Sequence, residues 1–121
     1  MIVNKVDFKI KSDIDSIIQY QILTYCFFNG IQISNSDLKC LGELAKVDSV
    51  ELTHFCKDIA DMKIFNSSQS ARNAITKAEK KKLIVKNGNN KKKISLSSIM
   101  NIQTAGTLLL DYKILSESKE A

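Results

Sequence analysis

Between Ser67 and Ser97 the periodicity of the chain changes once, and this limits its possible folds more than any other feature. In SSQSARNAITKAEKKKLIVKNGNNKKKISLS, Ala71, Ala74, Ile75 and Ala78 recur at i, i+3, i+4 and i+7. That is one narrow face of a helix over residues 68–82, capped by Ser67 or Ser68. The stripe is built from small side chains, so this helix can sit close against its neighbours. Its opposite face presents Gln69, Asn73, Thr76 and Lys80, flanked by Arg72 and Lys77. KKLIVK then reads as a strand, NGNN supplies the positive-φ residues of a tight hairpin, and KKKISLS returns with Ile94 and Leu96 alternating.

The residues before this block are helical. Ser12 or Asp13 caps a helix from Asp13 to Phe28, which stops at Asn29-Gly30. Ile14, Ile17, Ile18, Tyr25 and Phe28 share one face of it, and Tyr20, Leu23 and Phe27 lie on the other. A helix apolar on both sides must be covered on both sides. Either the terminal strands or another chain covers the second face. After the extended link IQIS, Ser34 to Ser36 cap a second helix, DLKCLGELAKV, with Leu38, Leu41, Leu44 and Ala45 inward. Asp48 or Ser49 starts a third, SVELTHFCKDIADMKIF, with Val50, Phe55, Ile59 and Met62 as its core side and Leu52 and Cys56 beside them.

The two ends read differently. Residues 1–12 carry the alternation of a short strand around IVNKVDFKI. Residues 99–115 read as a strand or hairpin, with a helix as the weaker alternative. Thr104 to Thr107 makes a turn, and Leu108, Leu110, Tyr112 and Ile114 alternate with more polar positions. This segment is expected to pair with the N-terminal strand, leaving residues 116–121 as a frayed tail. Without proline, and with only four glycines, the chain offers no linker or repeat, so residues 1–121 are read as one domain. No apolar run approaches the roughly 20 residues of a membrane span, and MIVNKVDFKIKSDID lacks the pattern of a secretory signal. Cys26, Cys40 and Cys56, an odd number without CxxC spacing, suit reduced thiols buried in a cytosolic setting.

Charge is unevenly placed. Residues 1–66 hold seven lysines against nine acids, residues 67–98 hold eight lysines and Arg72 against Glu79, and residues 99–121 hold two lysines against three acids. The net charge of +5 therefore belongs to one segment. A localised basic patch marks a polyanion-binding face, although lysine also serves solubility alone. Gln69, Arg72 and Asn73 carry the donor and acceptor pairs that read base edges, and Lys77, Lys80, Lys91, Lys92 and Lys93 can follow phosphates. Arg72 is the one arginine of the chain, which favours a basic surface over a base-reading one. Catalytic and metal-binding patterns are nearly absent. His54 has no second imidazole, the cysteines lack zinc spacing, and no cofactor or metal is expected.

Three helices followed by a two-stranded hairpin form the winged helix-turn-helix plan. An α+β fold of about four helices is expected, with a wing at residues 86–93 and extra N- and C-terminal strands. The block NSSQSARNAITKAEKKKLIVKNGNNKKKISLS resembles the recognition helix and wing of winged-helix proteins of bacteria and their phages. The order QILTYCFFNGIQIS, IFNSSQSARNAITKAEKKKLIVK and NIQTAGTLLLDYKIL resembles small virion-associated proteins of crAss-like tailed phages, over nearly the whole chain. That resemblance implies a non-enzymatic winged-helix protomer of a portal or neck connector ring, in a virion assembled in the host cytoplasm. Its partners would be other virion proteins, copies of itself and DNA, with no membrane. Tyr20, Leu23, Phe27, Leu108, Leu110 and Tyr112 are the expected protein contacts. The alternative is a regulator in the bacterial cytoplasm that reads DNA with helix 68–82 and grips its backbone with the wing.

Overall fold

Capping chemistry sets three of the four helix starts of the computed structural model, which describes residues 2–8, 13–106 and 110–116, the first and last of these stretches as backbone alone. Helix α1 (Ile14–Phe28) begins where Asp13 Oδ1 accepts a hydrogen bond from the Ser16 N–H at 2.8 Å. Helix α2 (Asn35–Ala45) starts with a reciprocal box, Ser34 Oγ accepting from the Asp37 N–H while the Asp37 carboxylate accepts from the Ser34 N–H. The short strand β2 (Val50–Glu51) leads straight into α3 (Leu52–Asp61), and α4 (Ser68–Lys80) is capped by Ser67. The hairpin strands are β3 (Ile84–Asn87) and β4 (Lys93–Leu96). Strand β1 (Ile2–Phe8) pairs antiparallel with β5 (Leu110–Ser116) as a separate two-stranded sheet. The fold is thus α+β: four helices, a three-stranded antiparallel sheet and the terminal ribbon, among the described residues.

The core sits where the helices meet the hairpin. Ile18, Ile22, Leu41, Leu44, Ile59, Ile75, Leu83, Ile84 and Ile94 have essentially no exposed surface. Cys26, Cys40 and Cys56 lie in the same cluster as free thiols, as the sequence predicts. Ala71 and Ile75 carry α4 into the core. α1 crosses α2 closely, because a Cβ on Gly42 would stand 3.3 Å from Gln19 Cγ. At one end of that pair Lys46 bridges Asp15 and Glu43.

Three helices end in the same hydrogen-bonded motif, only one of them with glycine. After α1, Ile31 N donates to Cys26 O and Gly30 N to Phe27 O. After α3, Ile64 N donates to Ile59 O and Lys63 N to Ala60 O; after α4, Leu83 N donates to Ala78 O and Lys82 N to Glu79 O. The left-handed position is Gly30 at φ +66° in the first case, but Lys63 at φ +61° and Lys82 at φ +64° in the others. A lysine there brings positive charge to the negative end of the helix at the cost of Cβ crowding. Lys82→Gly is therefore expected to stabilise the protein by about 0.5–1 kcal/mol, the relieved strain exceeding the added unfolded-chain entropy, as read by urea denaturation.

Several expectations need correction. The third helix does not begin at Asp48 or Ser49. Val50 and Glu51 are instead paired with Ile94 and Lys93, which gives the sheet a third strand in the order β2-β4-β3. The helix also ends at Asp61, so Met62, expected in the core, is 54% exposed. In α1 the buried line is Ile18, Ile22 and Cys26, whereas Ile14 and Phe28, grouped with Ile18 on one face, stand exposed. The fourth helix stops at Lys80 rather than residue 82, because Lys82 takes the left-handed turn. The hairpin expected to turn tightly on NGNN has a longer loop. Asn87 pairs with Lys93, leaving a five-residue loop whose Gly88, Asn90 and Lys91 have positive φ. A short 3-10 turn at Ser98–Met100, unforeseen in the sequence, follows β4 and buries Met100. The N-terminal strand pairs with the C-terminal one as expected, from Ile2 opposite Ser116 to Phe8 opposite Leu110. Ser12 as a cap, Thr107 as the end of a turn, Leu108 as a contact and most of the tail lie outside the described residues.

Candidate functional site

The fourth helix is held by α3 and β3 and leaves one long face open. Gln69, Asn73, Thr76 and Lys80 are exposed along it, with Lys77 exposed on one flank and Arg72 half-buried on the other. Several polar groups of this ridge are already engaged. Gln69 Nε2 donates to Asn73 Oδ1 at 3.0 Å, Thr76 Oγ1 donates to the Arg72 carbonyl at 3.0 Å, and Arg72 donates to Thr53 Oγ1 at 3.1 Å. The capping Ser67 Oγ is engaged as well, accepting from the Ser70 N–H and donating to Ser70 Oγ.

Lys91, Lys92 and Lys93 are exposed at and beside the hairpin loop. The loop is tied back to the helices, since the Leu52 N–H donates to the Lys92 carbonyl at 2.8 Å. Arg72 reaches Thr53 and the loop reaches Leu52, so the two basic segments meet at the start of α3. Two lysines are engaged elsewhere: Lys86 pairs with Glu79 at 3.5 Å, and Lys81 Nζ donates to the Gln32 carbonyl at 2.6 Å. Lys77, Lys80, Lys82, Lys91, Lys92 and Lys93 form no salt bridge among the described residues.

A shallow groove of about 620 Å³ runs along the Lys77 side of α4, lined in part by Gln32, Ser34, Phe65, Asn73, Lys77 and Lys81. Sequence reasoning did not find it, because its walls come from the α1–α2 link and from α4, far apart in the chain.

The outer face of α1 is the second unusual surface. Tyr20 and Leu23 are 44% and 49% exposed, and Phe27 and Phe28 are 79% and 78% exposed. The Phe27 and Phe28 rings meet edge to face with centroids 5.7 Å apart. From Ser16 to Gly30 the chain has no charged residue, although 26% of all its residues are charged. Two covers were considered for this face, and no contact among the described residues removes these four side chains from solvent. Leu110 and Tyr112 belong to β5, where their places in the register are described but their side chains are not. Gln21, on the same helix, holds the segment after β4: its Nε2 donates to the Gln103 carbonyl and its Oε1 accepts from the Gln103 N–H, both at 2.8 Å.

His54 contacts Asp58 at 3.2 Å across one exposed turn of α3. Among the described residues, no three His, Cys, Asp or Glu side chains are grouped closely enough to hold a metal ion. No helix among them is long and apolar enough to cross a membrane. No family model, curated protein or solved structure matches the chain.

Proposed function

We propose that this chain is a non-enzymatic structural protein, a winged-helix protomer of a portal or neck connector ring in a tailed-phage virion. Its partners are copies of itself and neighbouring virion proteins. The observation that carries the assembly is the outer face of α1, where four large apolar residues stand in water on a stretch without charge. Large apolar patches with these properties mark protein contacts, and covering the largely exposed Phe27 and Phe28 gains at most about 1.5–3 kcal/mol each, with roughly half of that for the half-covered Tyr20 and Leu23. The succession α2, β2, α3, α4, β3 and β4, with sheet order β2-β4-β3, is compatible with a winged-helix layout. In that layout α1 is an addition to the minimal module and is free to serve assembly. The virion setting is supported by the resemblance to proteins of crAss-like phages.

Light scattering coupled to size exclusion tests the assembly. The purified protein is expected to form an oligomer that Leu23→Asp with Phe27→Asp converts to a folded monomer, since both residues are exposed. Mass spectrometry of purified particles should find the chain in multiple copies. A wild-type monomer, together with particles that lack the chain, would refute the reading.

A second reading, a DNA-binding protein, is favoured by the exposed lysines flanking the α4 ridge. The two readings are compatible, because a connector surrounds the path of packaged DNA.

A further inference from the structure

We infer that the surface formed by α4 and the β3–β4 loop binds duplex DNA through the phosphate backbone, without reading base sequence. The inference rests on taking these elements as a helix-and-wing surface, and it sets the kind of contact that such a surface makes.

Shape and charge argue for a duplex. The crest of α4 is neutral over its first turns, with Gln69, Asn73 and Thr76, and positive charge stands on both sides of it. Lys77 lies on one flank, and Lys91, Lys92 and Lys93 approach the other through the start of α3. A convex neutral ridge between two cationic flanks complements a groove whose floor is neutral and whose rims are phosphates. The major groove, about 12 Å wide, admits a helix in this way. An acidic protein patch would use the lysines but would find no counterpart for the ridge.

Hydrogen bonding argues against base readout. Direct reading needs free side-chain amides, or a free guanidinium aimed at base edges. Here the Gln69 Nε2 group is committed to Asn73 Oδ1, so neither amide presents both a free donor and a free acceptor edge to one base, Thr76 bonds the helix backbone, and Arg72 Nη2 is directed to Thr53. The lysines remain, and an ammonium is a point charge that neutralises phosphate without selecting a base. Residues 67–98 carry eight lysines and Arg72 against one acid, so the contact is expected to be strongly salt-dependent.

Fluorescence anisotropy with labelled duplexes of roughly 20 base pairs, AT-rich and GC-rich, at about 50 and 200 mM salt tests this. Affinities should agree within about threefold across sequences and fall steeply with salt. The triple variant Lys91→Ala, Lys92→Ala and Lys93→Ala should weaken all duplexes alike and lower the log–log salt slope by about 2–3. Gln69→Ala and Asn73→Ala should leave the ratio of affinities between the AT-rich and GC-rich duplexes unchanged. Circular dichroism of each variant separates lost binding from lost fold. A preference above tenfold for one duplex that disappears in Gln69→Ala or Asn73→Ala would overturn the inference. So would the absence of binding by folded wild-type protein at the lower salt, or tighter binding to polyglutamate than to DNA. Failure here is distinct from failure of the assembly: a DNA-binding monomer removes the ring and keeps this surface, and a ring indifferent to DNA does the reverse.

Discussion

Ile94→Ala is expected to destabilise the protein by about 2–4 kcal/mol, the range for a fully buried isoleucine that leaves a cavity its neighbours only partly fill. Ile94 has no exposed surface and stands in the middle strand of the three, opposite Val50 on one side and Lys86 on the other. It therefore joins β2 to the hairpin and the hairpin to the helices, and no single element can move in to replace it. For a domain of this size, each kcal/mol lowers the melting temperature by about 3–6 °C, so a fall of roughly 6–24 °C is expected in a thermal scan. Val85→Ala is the control. Val85 is on the neighbouring strand but 44% exposed, and its truncation should cost well under 1 kcal/mol. Equal losses at the two positions would contradict the placement of the core.

The three thiols provide the second large effect. Burial pushes the Cys40 thiol up to about 12, with the nearby Asp37 carboxylate adding to the rise. Cys26 and Cys56 are raised by burial too, and partly offset by the positive charges of Lys81 and Arg72 respectively. The thiolate is the reacting species, so at pH 8 native Cys40 should alkylate about a thousandfold more slowly than the unfolded thiol. Exclusion of the reagent by packing slows it further. Iodoacetamide labelling followed by mass spectrometry should show almost no modification of the native protein and three modified sites in denaturant. Rapid labelling of Cys40 in folded protein would refute its burial. The sign of the pH dependence follows. Below pH 9.0, the ordinary thiol value, both folded and unfolded forms keep the Cys40 proton. Between pH 9.0 and about 12 only the unfolded chain loses it, so this contribution to stability disappears across that window.

The sequence shows most clearly what is local. Asp13, Ser34 and Ser67 cap the helices they were expected to cap, and the alanine stripe of α4 turns inward. The hairpin was visible in its alternation, and so was the pairing of the two ends. What the sequence concealed depends on distant partners. Val50 and Glu51 continue a helical pattern on paper, and they become a strand because the edge of β4 offers them hydrogen bonds. Helices α3 and α4 end at lysines in a left-handed conformation, where no glycine announces the stop. The inward face of α1 could not be chosen from spacing, because almost every position on both sides is apolar. The candidate surface was partly legible: the lysines stood out as a run, and the exposed crest of α4 followed from the position of the alanines. The internal bonds of Gln69, Thr76 and Arg72 could not be read, since Thr53 lies on another helix and rotamers leave no trace in composition.

The pairing of β1 with β5 brings the first and last described stretches together, so that the described residues almost close on themselves. Ile2 lies opposite Ser116, so the order of residues along the chain and the order of elements in space are only loosely tied to one starting point. A short peptide bridge across that seam, with the backbone reopened at the Gly88 loop, would retain every contact described within the helical body.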